Sequence, residues 1–248
     1  MASPPGRRQT RGVHTDLAPT VERFRALAHS SPWRWSTLEF DLEREDLEHA
    51  WIRRPDLLRV EGGDGRVHIT TGRDRPVAVV YGVDGGRPLA RVWPTEVEPR
   101  YDADGLVAER PGDVAIDYDP PFHDDYFWVA LLDPAELAEG VEVFSVDAVS
   151  HHGRPAWEAR VRPTPEYDPR CTCCALLSGD GELDPDPWVP TADSVVRLDV
   201  QTGVCVSVRH IGSEWCGQEA DLRISAVDEP LADELFRRPR WFSGRRRR

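Results

Sequence analysis

The feature that most constrains this chain is an apolar–polar alternation of period two, broken only by short turns. Leu38, Phe40 and Leu42 share one side of a first strand that begins at Trp33 and Trp35. Ala50-Trp51-Ile52 and Leu57 to Glu61 read as the next, bent at Arg54-Pro55-Asp56. Gly62-Gly63-Asp64-Gly65 marks a turn, Arg66 to Thr71 a strand, and Pro76 to Val83 and Arg87 to Trp93 two more around Asp84-Gly85-Gly86. The pattern returns at Val141 to Val149 and Ala156 to Arg162, on either side of His151-His152-Gly153-Arg154. It returns again at Ser194 to Val200, Val204 to Ile211 and Ala220 to Val227. No helix-length segment separates neighbouring strands within a run, which predicts antiparallel meanders in one large sheet rather than a parallel βαβ architecture.

Helical spacing is confined to two places. Leu17, Val21, Phe24, Leu27 and Ala28 recur on one helical face, with Ser30-Ser31-Pro32 as the expected stop. Tyr126 to Leu132 and Pro134 to Ala138 read as one or two helices inserted between the meanders, after an irregular stretch over 94–120 and before a long loop over 163–192. Leu231 to Phe236 reads as a short closing helix. This organisation predicts a polar arm over 1–14, a single mainly β (α+β) domain over 15–239, and a basic tail over 240–248.

Charge and composition exclude several functions. The formal net charge is -13, and every basic side chain is arginine. Such a surface repels phosphate backbones, so nucleic acid is not an expected partner. No apolar run reaches the roughly 18–20 residues of a membrane span. Arg7-Arg8 and Arg11 are not followed by the apolar stretch of an export signal, which predicts a cytoplasmic chain with reduced cysteines. The cysteines number five, an odd count that argues against a closed disulfide framework.

Four short segments carry a resemblance: Ala50 to Glu61 with its Arg-Pro bend, Val146 to Pro163 with Gly153-Arg154-Pro155-Ala156-Trp157, Val195 to Arg209 with Leu198-Asp199 and Thr202-Gly203, and Asp233 to Phe236. Together with the element order over about 17–238, they resemble the lipoprotein-carrier superfamily (LolA/LolB/RseB-like half-barrels). The resemblance implies a strongly curved antiparallel sheet, open as a half-barrel, with helices on its concave side. It further implies a non-catalytic protein that holds an amphiphile or a partner segment in an apolar pocket. The residues assigned to that pocket, on alternation and on the central helix, are Leu38, Phe40, Ile52, Leu58, Val79, Val196 and Trp128. No export signal of the kind such carriers use is expected from Met1 to Thr20, and the superfamily pattern offers no counterpart for the cysteine loop.

That loop is the strongest chemical constellation. Cys171, Cys173 and Cys174 supply three soft ligands, and zinc is the candidate ion, with Cys205, Cys216, His151, His152 or His210 as the fourth ligand. The bland alternative is small apolar residues packing a loop. Asp117, Asp119, His123, Asp124 and Asp125 could act as acid and base or hold a metal. Asp180, Glu182, Asp184 and Asp186 alternate as in a calcium loop, but Pro185 and Pro187 spoil that spacing. Solvated loops explain both groups. His151-His152 is expected to be an exposed turn rather than a ligand pair. The catalytic Ser elbow, the P-loop and the dinucleotide glycine motif are missing from the sequence. Three readings therefore stand: an apolar binding or regulatory module, a metal-binding or thiol-redox protein built on the cysteine loop, and a protein-interaction module without a small ligand.

Overall fold

The computed structural model describes residues 17–44, 46–71, 91–111, 115–116, 121–177, 192–212 and 218–237. Among them a nine-stranded antiparallel sheet dominates. One meander comprises β1 (Thr37–Glu43), β2 (Leu47–Arg53), β3 (Leu57–Gly62) and β4 (Val67–Thr70). Small pairs follow, built from β5 (Arg91–Val92), β6 (Arg100–Tyr101), β7 (Val107–Glu109) and β8 (Ala115–Ile116). A second meander comprises β9 (Val141–His151), β10 (Arg154–Pro163), β11 (Asp193–Asp199), β12 (Cys205–Ile211) and β13 (Ala220–Val227). The order β4-β3-β2-β1-β13-β12-β11-β10-β9 joins the meanders through the first and last strands and, among the described residues, ends at β4 and β9.

The alternation has the consequence expected of it. Leu38 and Phe40 of β1 sit opposite Ile52 and Ala50 of β2, which sit opposite Leu58 and Val60 of β3, so one face is apolar across the strands. Two helices cover that face: α1 (Val21–Arg34) and α2 (Tyr126–Leu132). Thr20 caps α1 by accepting from the Arg23 amide at 3.2 Å, and Phe24, Leu27, Ala28 and Ser31 form its buried stripe. Asp125 caps α2 in the same way at 3.1 Å. Phe127 to Leu132 are all buried, as an all-apolar helix requires. Trp128 lies 5.3 Å from Phe40, ring to ring. Gly203, in the β11–β12 turn at φ 71°, packs so closely on α1 that a Cβ there would meet the Leu27 carbonyl at 2.8 Å.

Several local expectations need correction. Ser30-Ser31-Pro32 does not end the first helix, which runs to Arg34 and takes Trp33 out of the strand. The cause is distant in sequence. Arg54 is half-buried, stacks 3.5 Å above the Trp35 ring, and donates to the Ser31 carbonyl at 3.0 Å and to that of Pro32, occupying acceptors that the last turn leaves open. The Arg54-Pro55-Asp56 bend does not continue one strand; it is the turn between β2 and β3. The irregular stretch over 94–120 carries the β6–β7 hairpin and, in β5–β8, one short parallel pair. The strand expected over 76–83, with Val79, lies outside the described residues, as does most of that over 87–93.

The four resembling segments prove to be clasps. Arg154 of the second bonds Asp199 of the third at 2.8 Å, and Asp199 also accepts from the Thr202 amide and hydroxyl, both at 2.8 Å. Arg53 of the first donates to Asp233 of the fourth at 2.6 Å and to the Leu231 carbonyl.

Candidate functional site

Two regions outside the core combine unusual exposure with fixed geometry. The first is the loop that follows β10. Its anchor is Glu136, a half-buried residue in the short 3-10 turn Ala135–Leu137. Glu136 accepts from the Tyr167 hydroxyl, from the Leu176 amide at 2.8 Å and from the Arg170 amide at 3.3 Å. Burial pushes the Glu136 carboxyl up despite those donors, and burial beside Glu136 pushes the Tyr167 phenol well above its ordinary value. Next to it, Asp133 is fully buried and pairs with Arg110 and, at 2.9 Å, with Arg170. Burial alone would raise Asp133, but the charges of Arg110, Arg170 and Arg54 outweigh it and hold the carboxyl low. Arg110 also donates to the His29 carbonyl, so this network ties α1, α2 and the loop together.

On that loop the turn Thr172–Cys174, closed by the Cys174 amide on the Cys171 carbonyl at 3.1 Å, gathers the three cysteines. Sγ of Cys173 lies 3.1 Å from that of Cys171 and 3.4 Å from that of Cys174. Hydrogen bonds within the group hold the Cys173 thiol below its ordinary value, and burial pushes that of Cys174 up to about 12. Among the described residues, no other histidine, cysteine or carboxylate brings a ligand atom within 4.8 Å of all three. Of the expected fourth ligands, Cys205 is buried in the core and bonds the Ser207 carbonyl, His210 bonds Ser194, and Cys216 lies outside the described residues.

The second region is β9. It is eleven residues long, about 36 Å at 3.3 Å per residue, and it ends the sheet. Among the described residues only β10 pairs with it. Its register shifts opposite Arg160/Val161, leaving Phe144 as the extra residue of a β-bulge. Phe144 is 46 % exposed. The guanidinium carbons of Arg160 and Arg162 stand 5.7 and 5.3 Å from its ring centroid, both arginines held by Asp193. Sequence reasoning missed this region. Val141 to Val149 read as a half-buried strand, and the bulge that turns Phe144 outward has no signature in period or composition.

The residues assigned to an apolar pocket divide cleanly. Leu38, Phe40, Ile52, Leu58, Val196 and Trp128 are at most 1 % exposed and belong to one core cluster, while Val79 lies outside the described residues. Trp128 Nε1 is buried with no hydrogen-bond partner among the described residues. Of the acidic groups, only His123, Asp124 and Asp125 are described. Asp125 pairs with Arg44 at 2.8 Å, His123 with Glu48 at 2.8 Å, and Asp117, Asp119 and the alternating acids of 180–186 lie outside the described residues. His151 is buried rather than exposed. Its Nε2 lies 3.1 Å from the Leu222 carbonyl and its Nδ1 3.3 Å from Arg197, and His152 Nε2 lies 2.5 Å from Asp221.

No protein-family model matches the chain, and no curated protein matches it. Solved structures with a similar course include MucB, at a TM-score of 0.42 and 12% identity over 89% of this chain and 63% of that one. Two complexes are also similar: MucB with MucA(peri), at a TM-score of 0.38 and 15% identity over 87% of this chain and 59% of that one, and Pseudomonas aeruginosa MucA/MucB, at 0.36 and 16% over 87% and 60%. The chain thus spans about three fifths of the length of the structures it matches.

Proposed function

We propose that this chain is a non-catalytic binding module that takes an extended segment of a protein partner along the outer edge of β9. The observation that carries the reading is the edge itself: eleven residues that, among the described residues, pair only with β10, with Phe144, Ser145, Asp147, Ala148 and Ser150 open to solvent. Such an edge offers unpaired N–H and C=O groups in register, which an added strand satisfies, while side-chain contacts give selectivity. Phe144 between Arg160 and Arg162 supplies the side-chain anchor. A second copy of the chain fits poorly as occupant. A two-fold pairing centred on Phe144 and Ser145 sets Glu142 against Asp147, and each copy carries a formal net charge of -13. The edge therefore suits a foreign segment, neutral or basic opposite Glu142 and Asp147.

The test is selection of peptides from a random library displayed against the full chain. Successive strand residues point their amides in opposite directions, so of Ser145→Pro and Val146→Pro one removes an outward N–H and the other an N–H bonded to β10. The reading expects one of the two variants to stay folded and lose the selected peptides, and Phe144→Glu to lose them as well. Selected peptides that bind all folded variants equally would overturn it.

A second reading is favoured by one observation, the unpartnered Nε1 of Trp128 against Phe40. A buried donor without an acceptor costs about 1–3 kcal/mol. An amphiphile seated under a half-barrel sheet, with its ester or amide carbonyl at Trp128, would remove that cost. Solvent extraction of purified protein followed by mass spectrometry decides it: a stoichiometric lipid supports this reading, and its absence leaves the edge-binding module alone.

A further inference from the structure

We infer that Cys171, Cys173 and Cys174 form a three-sulfur site for a soft, thiophilic ion of pyramidal geometry, the class to which trivalent arsenic belongs. The site stands apart from β9 and does not depend on the edge-binding reading. Its geometry selects the class. With ion–sulfur bonds of about 2.3 Å, a tetrahedral ion holds its sulfurs about 3.8 Å apart, whereas a pyramidal one with angles near 90° holds them about 3.3 Å apart. Two of the three sulfur pairs stand at 3.1 and 3.4 Å, and the third, Cys171 with Cys174, lies within 4.8 Å. The ligand count agrees, since among the described residues no fourth histidine, cysteine or carboxylate joins the three within 4.8 Å of them all. A three-coordinate ion needs none, and soft sulfur donors select a soft ion.

The site is also built rather than incidental. Arg170, immediately before Cys171, is held by Asp133 and by Glu136, and Leu176, two residues after Cys174, is held by Glu136. Asp133 is buried and Glu136 half-buried, and their hydrogen bonds pin the backbone on each side of the thiols to the 3-10 turn after α2. Cys173 is exposed and gives the ion its entry, while Cys174 packs against the core. With As(OH)3 the step balances without an oxidant. Three S–H protons leave with three hydroxide groups as three waters, three As–S bonds replace three As–O bonds, and arsenic stays trivalent.

The experiment titrates the reduced full chain with As(OH)3. It follows charge-transfer absorption and the mass of the native protein, and takes the sulfur coordination number from X-ray absorption. The site predicts one arsenic per chain, coordination by three sulfurs, and loss of the three-sulfur signal in each of Cys171→Ser, Cys173→Ser and Cys174→Ser. Cys205→Ser, which alters a buried thiol elsewhere, should bind as the parent does. Two-sulfur coordination in the parent, full binding by any one of the three variants, a requirement for Cys216, or preferential uptake of a tetrahedral zinc would each overturn the assignment.

Discussion

The two ends of the sheet among the described residues are made very differently. β4 is four residues long, with Ile69 buried and Val67 and Thr70 half-buried, whereas β9 is eleven residues long and exposed through most of its length. Short edges are a common protection against unwanted pairing. A long edge kept open needs other restraints, and β9 has a bulge at Phe144 and acids at Glu142 and Asp147. Its rigidity also comes from its surroundings. The chain enters β9 through Gly140, at φ 63°, where a Cβ would stand 2.4 Å from the Glu166 carbonyl, and the loop bearing Glu166 is fixed by Glu136 and Asp133. The difference teaches that an edge can be left open when the backbone leading into it is locked.

That comparison can be broken most forcefully at Asp133. Asp133→Ala leaves Arg110 and Arg170 without their buried partner, and the expected cost is about 3–5 kcal/mol in chemical denaturation. A loss below about 1 kcal/mol, the range of surface pairs, would mean that the clasp does not hold the β9 side of the molecule. Gly140→Ala combines an unfavourable φ with a backbone clash and should cost about 1–3 kcal/mol. The same substitution at Gly65, in the β3–β4 turn at φ 80° with nothing within 4 Å of a Cβ, should cost less, because only the dihedral term remains. Equal losses at the two glycines would remove the distinction between a locked entry and an ordinary turn.

Much of this architecture is legible in the sequence. The strands from β9 to β13, α2, and the closing turn at Asp233–Phe236 follow from alternation, an all-apolar helical run and glycine turns. What escapes is set by residues far apart. The end of α1 depends on Arg54, twenty residues beyond it. The thiol loop takes its shape from Glu136 and Asp133, about forty residues before it. The burial of His151 depends on Leu222 of β13. The half-buried residues between the ends of β9 are Val143, Val146 and Val149, a spacing of three that no period-two reading returns, and the bulge at Phe144 accounts for the first of the two steps. Alternation turns Leu38, Phe40, Ile52, Leu58 and Val196 inward, but it does not distinguish a lined cavity from a filled core.

A smaller effect concerns pH. The folded-state carboxyl of Glu136 titrates above its ordinary 4.5, so the folded chain binds more protons than the unfolded chain in that window. Its contribution is greatest below 4.5 and declines as pH rises through the raised value. Asp133 is held below its ordinary 3.8, so its contribution is present above 3.8 and is lost as pH falls through the lowered value. Denaturation midpoints of the parent and Glu136→Gln across pH 4 to 8 should converge at the acid end and diverge as pH rises, with the variant the flatter. Parallel curves would show that Glu136 is not the hub of the loop.

The open edge of β9 is tested most directly by residue-resolved amide hydrogen exchange on the full chain, free and with a peptide selected against it. The account predicts that in the free protein alternate amides of β9 exchange orders of magnitude faster than those of β10 to β13. It predicts that the same amides, and few others, become protected when the peptide is added. Uniform protection along β9 in the free protein, or protection by the peptide at another surface, would contradict it.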